Sequence, residues 1–106
     1  MAGVKQFDVC ANPDPRTRSE IPFIVVLQSD HVLGLGSVVV APVRRFGDQR
    51  AMSRLAVVFS MRDQEWVINI HELATITRSR LQSEAENLEV IRDRIIRALD
   101  FLFTGI

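Results

Sequence analysis

Two histidines and one cysteine, His31, His71 and Cys10, are the side chains best suited to nucleophilic, acid–base or metal chemistry. A zinc site needs Cys and His ligands at short paired spacings, and neither histidine stands in such a spacing with the cysteine or with the other. Cys10 falls in a predicted strand with no paired histidine signature, and reads as a structural thiol. Gly34-Leu35-Gly36-Ser37 looks like the opening of a phosphate loop. It lacks the third glycine and the Gly-Lys-Ser/Thr element, and no helical pattern follows it, so it reads as turn chemistry. Glu84, Glu86 and Glu89 surround a predicted helix start, where they suit the helix dipole and make no convincing acid–base pair. No catalytic, cofactor-binding or metal-binding residue is assigned.

Two features point to binding. Arg44, Arg45, Arg50 and Arg54 against Asp48 give the 44–54 loop a net charge of plus three. They read as a solvated loop, with a seat for an acidic partner segment, or for RNA in a nuclease, as the functional alternative. Phe101-Leu102-Phe103-Thr104-Gly105-Ile106 places large apolar residues at a chain end, where chains are usually polar and frayed. One helix face cannot bury positions 101, 102 and 103 together. Either the tail docks into the domain's own core, or it sits at an interface, where such groups are enriched.

The elements that must position these residues are mostly strands. Residues 4–10 alternate loosely and read as an edge strand, and 11–20, with two prolines, as a loop. Residues 22–29 and 37–43 are β-branched runs and read as strands; Pro42 marks the end of the second or an unpaired edge. Residues 55–61 and 65–70, joined by Arg62-Asp63-Gln64, predict an antiparallel hairpin. Residues 71–81 read as a short helical turn, then a strand near 74–80. Leu88, Ile91, Ile95, Leu99 and Leu102 form one helical stripe, with Asp93 and Arg97 spaced for an ion pair. Ser83 with Glu86 suggests a capping box, Asn87 a second cap, and Gly105 a left-handed stop. Five or six strands followed by one helix predict a small barrel or curled sheet capped by that helix.

Composition bounds the reading. The 106 residues suit a single domain, 1–106, and 13 basic against 13 acidic residues give zero net charge. Neutrality argues against a domain gripping nucleic acid mainly through its phosphates, so no direct nucleic-acid binding is expected of the chain alone. A modest core makes self-association a natural way to bury more apolar surface. The apolar run 38–43 is too short for a bilayer, which needs roughly 20 residues. No signal-peptide layout opens the chain, and a cytoplasmic protein without a membrane partner is expected.

Several segments together resemble the CcdB family of toxins, which poison DNA gyrase. They are Gln6-Phe7, Val25-Val26-Leu27-Gln28-Ser29-Asp30, Ala41-Pro42-Val43, Val57-Val58, the tryptophan of Asp63-Gln64-Glu65-Trp66, and Ala98-Leu99-Asp100-Phe101-Leu102-Phe103-Thr104-Gly105-Ile106. The resemblance runs from about Phe7 to Ile106 and is poorest at 11–20 and 44–54. It implies an SH3-like small barrel of antiparallel sheets with a C-terminal helix, assembled as a symmetric homodimer. It implies a non-enzymatic toxin that binds the gyrase A subunit and traps the enzyme with cleaved DNA. A cognate antitoxin would neutralise it and share in operon repression. The family's gyrase contacts map here onto Val32, Phe103, Thr104, Gly105 and Ile106. Thr104 stands where relatives carry tryptophan, His31 where an aliphatic residue is usual, and Asp100 where asparagine is common. The alternatives are an endoribonuclease toxin on the same barrel, with the 44–54 arginines and His71 in its site, and a non-toxic dimeric partner of an antitoxin in operon control.

Overall fold

A computed structural model describes residues 3–32, 35–47 and 53–105. Phe7 opens the first strand from a turn with φ of 71°, a costly conformation for a bulky residue. Its surroundings hold it there: its N–H donates to the Val26 carbonyl at 2.6 Å, its carbonyl accepts from Leu88, and its ring is fully buried. Strand β1 (Asp8–Ala11) then pairs antiparallel with β2 (Phe23–Val26), Val9 opposite Val25. The long β3 (Ser37–Arg45) pairs with β2 along its middle, Val25 opposite Ala41.

Strands β4 (Ala56–Met61) and β5 (Gln64–Asn69) form the predicted hairpin. Its turn is Arg62-Asp63, with φ of 55° and 62° at the two residues. Two positive φ values match the right-handed twist of the strands they join. β5 pairs with the second half of β3, and β6 (Ala74–Thr77) with its first half. β7 (Ser83–Asn87) adds to the far side of β1. The sheet order is β4-β5-β3-β2-β1-β7, with β6 beside β3. Helix α1 (Arg92–Thr104) follows a single 3-10 turn, Glu89–Ile91. The architecture is mainly β, a curled antiparallel half-barrel with one C-terminal helix.

Burial on both faces of the curled sheet explains the unbroken apolar runs. Val9, Val25, Ala41 and Val43 face the main core with Trp66, Ile68 and the helix residues Ile95 and Ala98. Their alternates Cys10, Ile24, Val26, Val38 and Val40 face a second, smaller core. Ile95 is fully buried, which stabilises the helix–sheet contact by roughly 1.5–3 kcal/mol.

Several local expectations are corrected. The first strand is no edge, because β7 covers its outer side. Pro42 lies inside β3, opposite Ile24. Residues 39, 41 and 43 direct their backbone groups at β2, since the Leu27 N–H donates to the Val39 carbonyl. Pro42 therefore faces the other way, where β6 has ended at residue 40 and β5 begins at 43, and its missing N–H costs no ladder bond. Ser83 and Glu86 form no capping box, and Glu84 and Glu86 flank no helix: all three lie on β7. Asn87 is not the cap of the helix either: it ends β7, and its side-chain oxygen accepts from the Glu89 N–H at 2.8 Å just before the 3-10 turn, whose N-cap is Leu88 and whose successor helix has Ile91 at its N-cap. Asp93 and Arg97 form no ion pair among the described residues.

Candidate partner-binding surface

Helix α1 resolves the question of the three consecutive apolar residues by dividing them. Steps of about 100° put Leu102 against the main core, near Leu99. Phe101 is half-buried, with the Arg54 guanidinium 3.9 Å from its ring centroid. Phe103 points away and is 70% exposed. Gly105, with φ of 77°, stops the helix as predicted, its N–H donating to the Phe101 carbonyl at 2.9 Å. A capped last turn fixes the backbone that carries Phe103, so only side-chain freedom is lost when a partner covers the ring.

Thr104 is exposed and donates its hydroxyl to the Asp100 carbonyl at 2.6 Å. With Asp100, Arg54, Arg94 and Arg97 it lines an open groove of about 580 Å³ between α1 and β4. Ile106 lies outside the described residues.

Val32 ends a one-turn 3-10 segment, Asp30–Val32, and is 45% exposed. The preceding Gln-Ser-Asp explains its placement. The Gln28 amide donates to the Val32 carbonyl at 2.8 Å and accepts from the Val39 N–H at 3.1 Å. The Ser29 hydroxyl oxygen accepts from the His31 N–H, and the Asp30 carboxylate from the Gln6 N–H at 2.7 Å. Three polar side chains thus pin a turn that presents His31 and Val32 to solvent. Among the described residues, no hydrogen bond links this turn to the end of α1. The fold brings Phe103, Thr104 and Gly105 together, and carries Val32 on a separate rigid support.

Arg44, Arg45 and Arg54, the described arginines of 44–54, each engage a different neighbour. Arg44 and Arg45 belong to β3; the first bonds Asn69 and Glu72, and the second lies 5.7 Å over Trp66. Arg54 sits over Phe101, and Arg50, like the Gly34 of the glycine-rich segment, lies outside the described residues. His71 is exposed and 4.0 Å from Glu72, whose carboxylate already holds Arg44. Burial, aided by the negative charges of Asp8 and Glu84, pushes the Cys10 thiol up to about 12, which keeps it protonated and unreactive. Among the described residues no group of three or more His, Cys, Asp or Glu side chains is placed to hold a metal. No described helix is long and apolar enough to cross a membrane.

Two parts of this surface carried no clear sequence signal. Arg94 was legible only as a polar position off the helical stripe, and Arg97 as that and as a partner spaced for Asp93; what makes them groove residues is the approach of β4. Arg62 was legible only as a turn residue. It bonds Glu86 through two nitrogens at 2.8 Å and reaches Glu84, tying the hairpin tip to β7. The family model described as CcdB protein matches residues 6–105 of the chain. No individual curated protein matches it.

Proposed function

Because the chain belongs to the CcdB family, and is thereby the toxin of a toxin–antitoxin module, we propose that it binds the A subunit of DNA gyrase and traps the cleaved gyrase–DNA complex. The observation that carries this reading is Phe103: a large aromatic ring, 70% exposed, on a helix end fixed by a left-handed glycine cap. Aromatic anchors of this kind dominate the energetics of protein interfaces. Val32 on its pinned turn supplies a second apolar contact. The protein performs no chemistry in this reading. It binds the DNA-cleaved conformation of gyrase more tightly than the religated one, and that difference in affinity shifts the population.

Two further parts of the proposal follow the family. The toxin works as a homodimer, which presents two copies of the helix end, and a cognate antitoxin neutralises it in the cytoplasm and shares in operon regulation. The engagement of Arg44 by Asn69 and Glu72, of Arg45 by Trp66 and of Arg54 by Phe101 favours this reading over an endoribonuclease that would use those arginines on phosphates.

A supercoiling and cleavage assay with purified gyrase tests the proposal. The full chain is expected to inhibit supercoiling and to accumulate cleaved DNA. A truncation lacking Thr104–Ile106 is expected to fold, by circular dichroism, and to lose both effects. Full inhibition by the folded truncation would refute the role of the helix end, and RNA cleavage by the purified chain would refute the non-enzymatic reading.

A further inference from the structure

Among the described residues β4 has one strand neighbour, β5, so its other side is a sheet edge. The two-residue turn makes Met61 and Gln64 the closing hydrogen-bonded pair. Counting back by two, Phe59 and Val57 turn their backbone groups toward β5, and Ser60 and Val58 turn theirs outward. The Leu55 carbonyl, accepting from the Ile70 N–H at 2.9 Å, fixes the same parity from the other end. On the outward side Arg94 donates to the Val58 carbonyl at 2.5 Å. Among the described residues nothing hydrogen-bonds the Val58 N–H, the Ser60 N–H or the Ser60 carbonyl.

The cationic groove runs beside this edge. Arg54, Arg94 and Arg97 face it against a single acid, Asp100. Arg97 is exposed and makes no ion pair among the described residues.

We propose that the β4 edge and this groove form a docking site for an extended, acidic segment of another polypeptide. The segment adds as a short strand beside Ser60 and Val58 and lays its carboxylates along Arg94, Arg97 and Arg54. Main-chain bonds supply affinity in such strand addition, and side-chain charge supplies choice of partner. Arg94 acts in both states. In the free protein it covers the Val58 carbonyl and blunts an edge that would otherwise invite indiscriminate pairing. A carboxylate offers a guanidinium an opposite charge and two parallel hydrogen bonds where a carbonyl offers neither, so an incoming acid draws Arg94 away and releases that carbonyl to the new strand. A basic segment finds only repulsion. The site leaves the exposed Phe103 ring free but shares Thr104, at the groove's end, with the proposed gyrase surface; peptide binding and gyrase inhibition are separate readouts, so either can fail without the other.

Fluorescence anisotropy with the full chain tests this, using short labelled peptides of alternating glutamate and valine, or lysine and valine. The acidic peptide is expected to bind, more weakly at high salt, and the basic one not to bind. Arg97→Glu is expected to weaken binding about tenfold, the loss of one charge-assisted hydrogen bond. Ser60→Pro, which removes an outward N–H and no ladder bond, is expected to weaken it as well, as is a backbone N-methylated acidic peptide against the unaltered chain. No binding, equal binding of the two peptides, or wild-type affinity in a natively folded Arg97→Glu variant would overturn the proposal. Full binding of the N-methylated peptide would overturn strand addition.

Discussion

Thr104 concentrates what single residues decide at the helix end. Its hydroxyl is satisfied inside the helix by the Asp100 carbonyl, and its small side chain leaves the groove beside it open. Tryptophan at the same position would add a second large ring next to Phe103. Interface anchors of that type contribute at least about 2 kcal/mol. Thr104→Trp is therefore expected to tighten gyrase binding by about thirtyfold, read from the concentration that half-inhibits supercoiling. An unchanged or weaker inhibition would show that the interface is built around Phe103 without need of a neighbour. The cap at Gly105 matters for a different reason. With φ of 77°, it holds a conformation that costs other residues roughly 1 kcal/mol, and it sets where the helix stops and so where Phe103 points.

At the scale of elements, the half-barrel is fastened by one arginine. Arg62, in the β4–β5 turn, reaches across to Glu84 and Glu86 on β7, and its guanidinium lies 5.4 Å over the Phe23 ring. The two ends of the sheet order, which share no ladder bonds, are joined there by charge. The hydrogen bond from Arg62 holds the Glu86 carboxyl below its ordinary value of 4.5, against a smaller opposing effect of burial. A group with a lowered folded-state pKa contributes stability above its unfolded value and loses it as pH falls through the folded one. Glu86→Gln is thus expected to lower the urea midpoint at neutral pH, by a modest amount because the pair is solvent-exposed, with the difference from wild type fading in acid. A difference that persists unchanged in acid would mean that the carboxylate charge is not what fastens the strand. Glu84 and Glu86 both reach Arg62 from β7, on either side of Ala85, whose φ of 79° marks an irregularity in the pairing with β1.

At the scale of the molecule, a small core and a large exposed ring at the helix end favour assembly. A radius of gyration of 13.1 Å is that of an ordinary compact domain of about 100 residues. For a homodimer, stability is linked to protomer concentration, so each tenfold rise adds about 1.4 kcal/mol to the folded state. Thermal unfolding is accordingly expected at a higher midpoint as protein concentration rises, with sedimentation equilibrium giving twice the chain mass. A concentration-independent midpoint with the mass of one chain would rule out the dimer.

The local signals in the sequence were enough to place most of the strands, the hairpin, the helix and its glycine stop, because each depends on periodicity or turn chemistry within a few residues. Leu99 and Leu102 pack on the core as their spacing required, and Trp66 is buried with its indole N–H on the Met61 carbonyl. The neutral charge and the apolar chain end, too, were visible before any fold. Other outcomes depended on partners far along the chain. Ser83–Asn87 became a strand because β1 offers a backbone and Arg62 a charge, from 22 and 24 residues before Glu84 and Glu86. Pro42 became tolerable inside a central strand because two different strands share that side of β3 and neither reaches it. The run 101–103 was divided among core, Arg54 and solvent by the direction in which β4 meets the helix. Local pattern reports which faces are apolar; only the packing of distant elements decides which of those faces is covered and which is left for a partner.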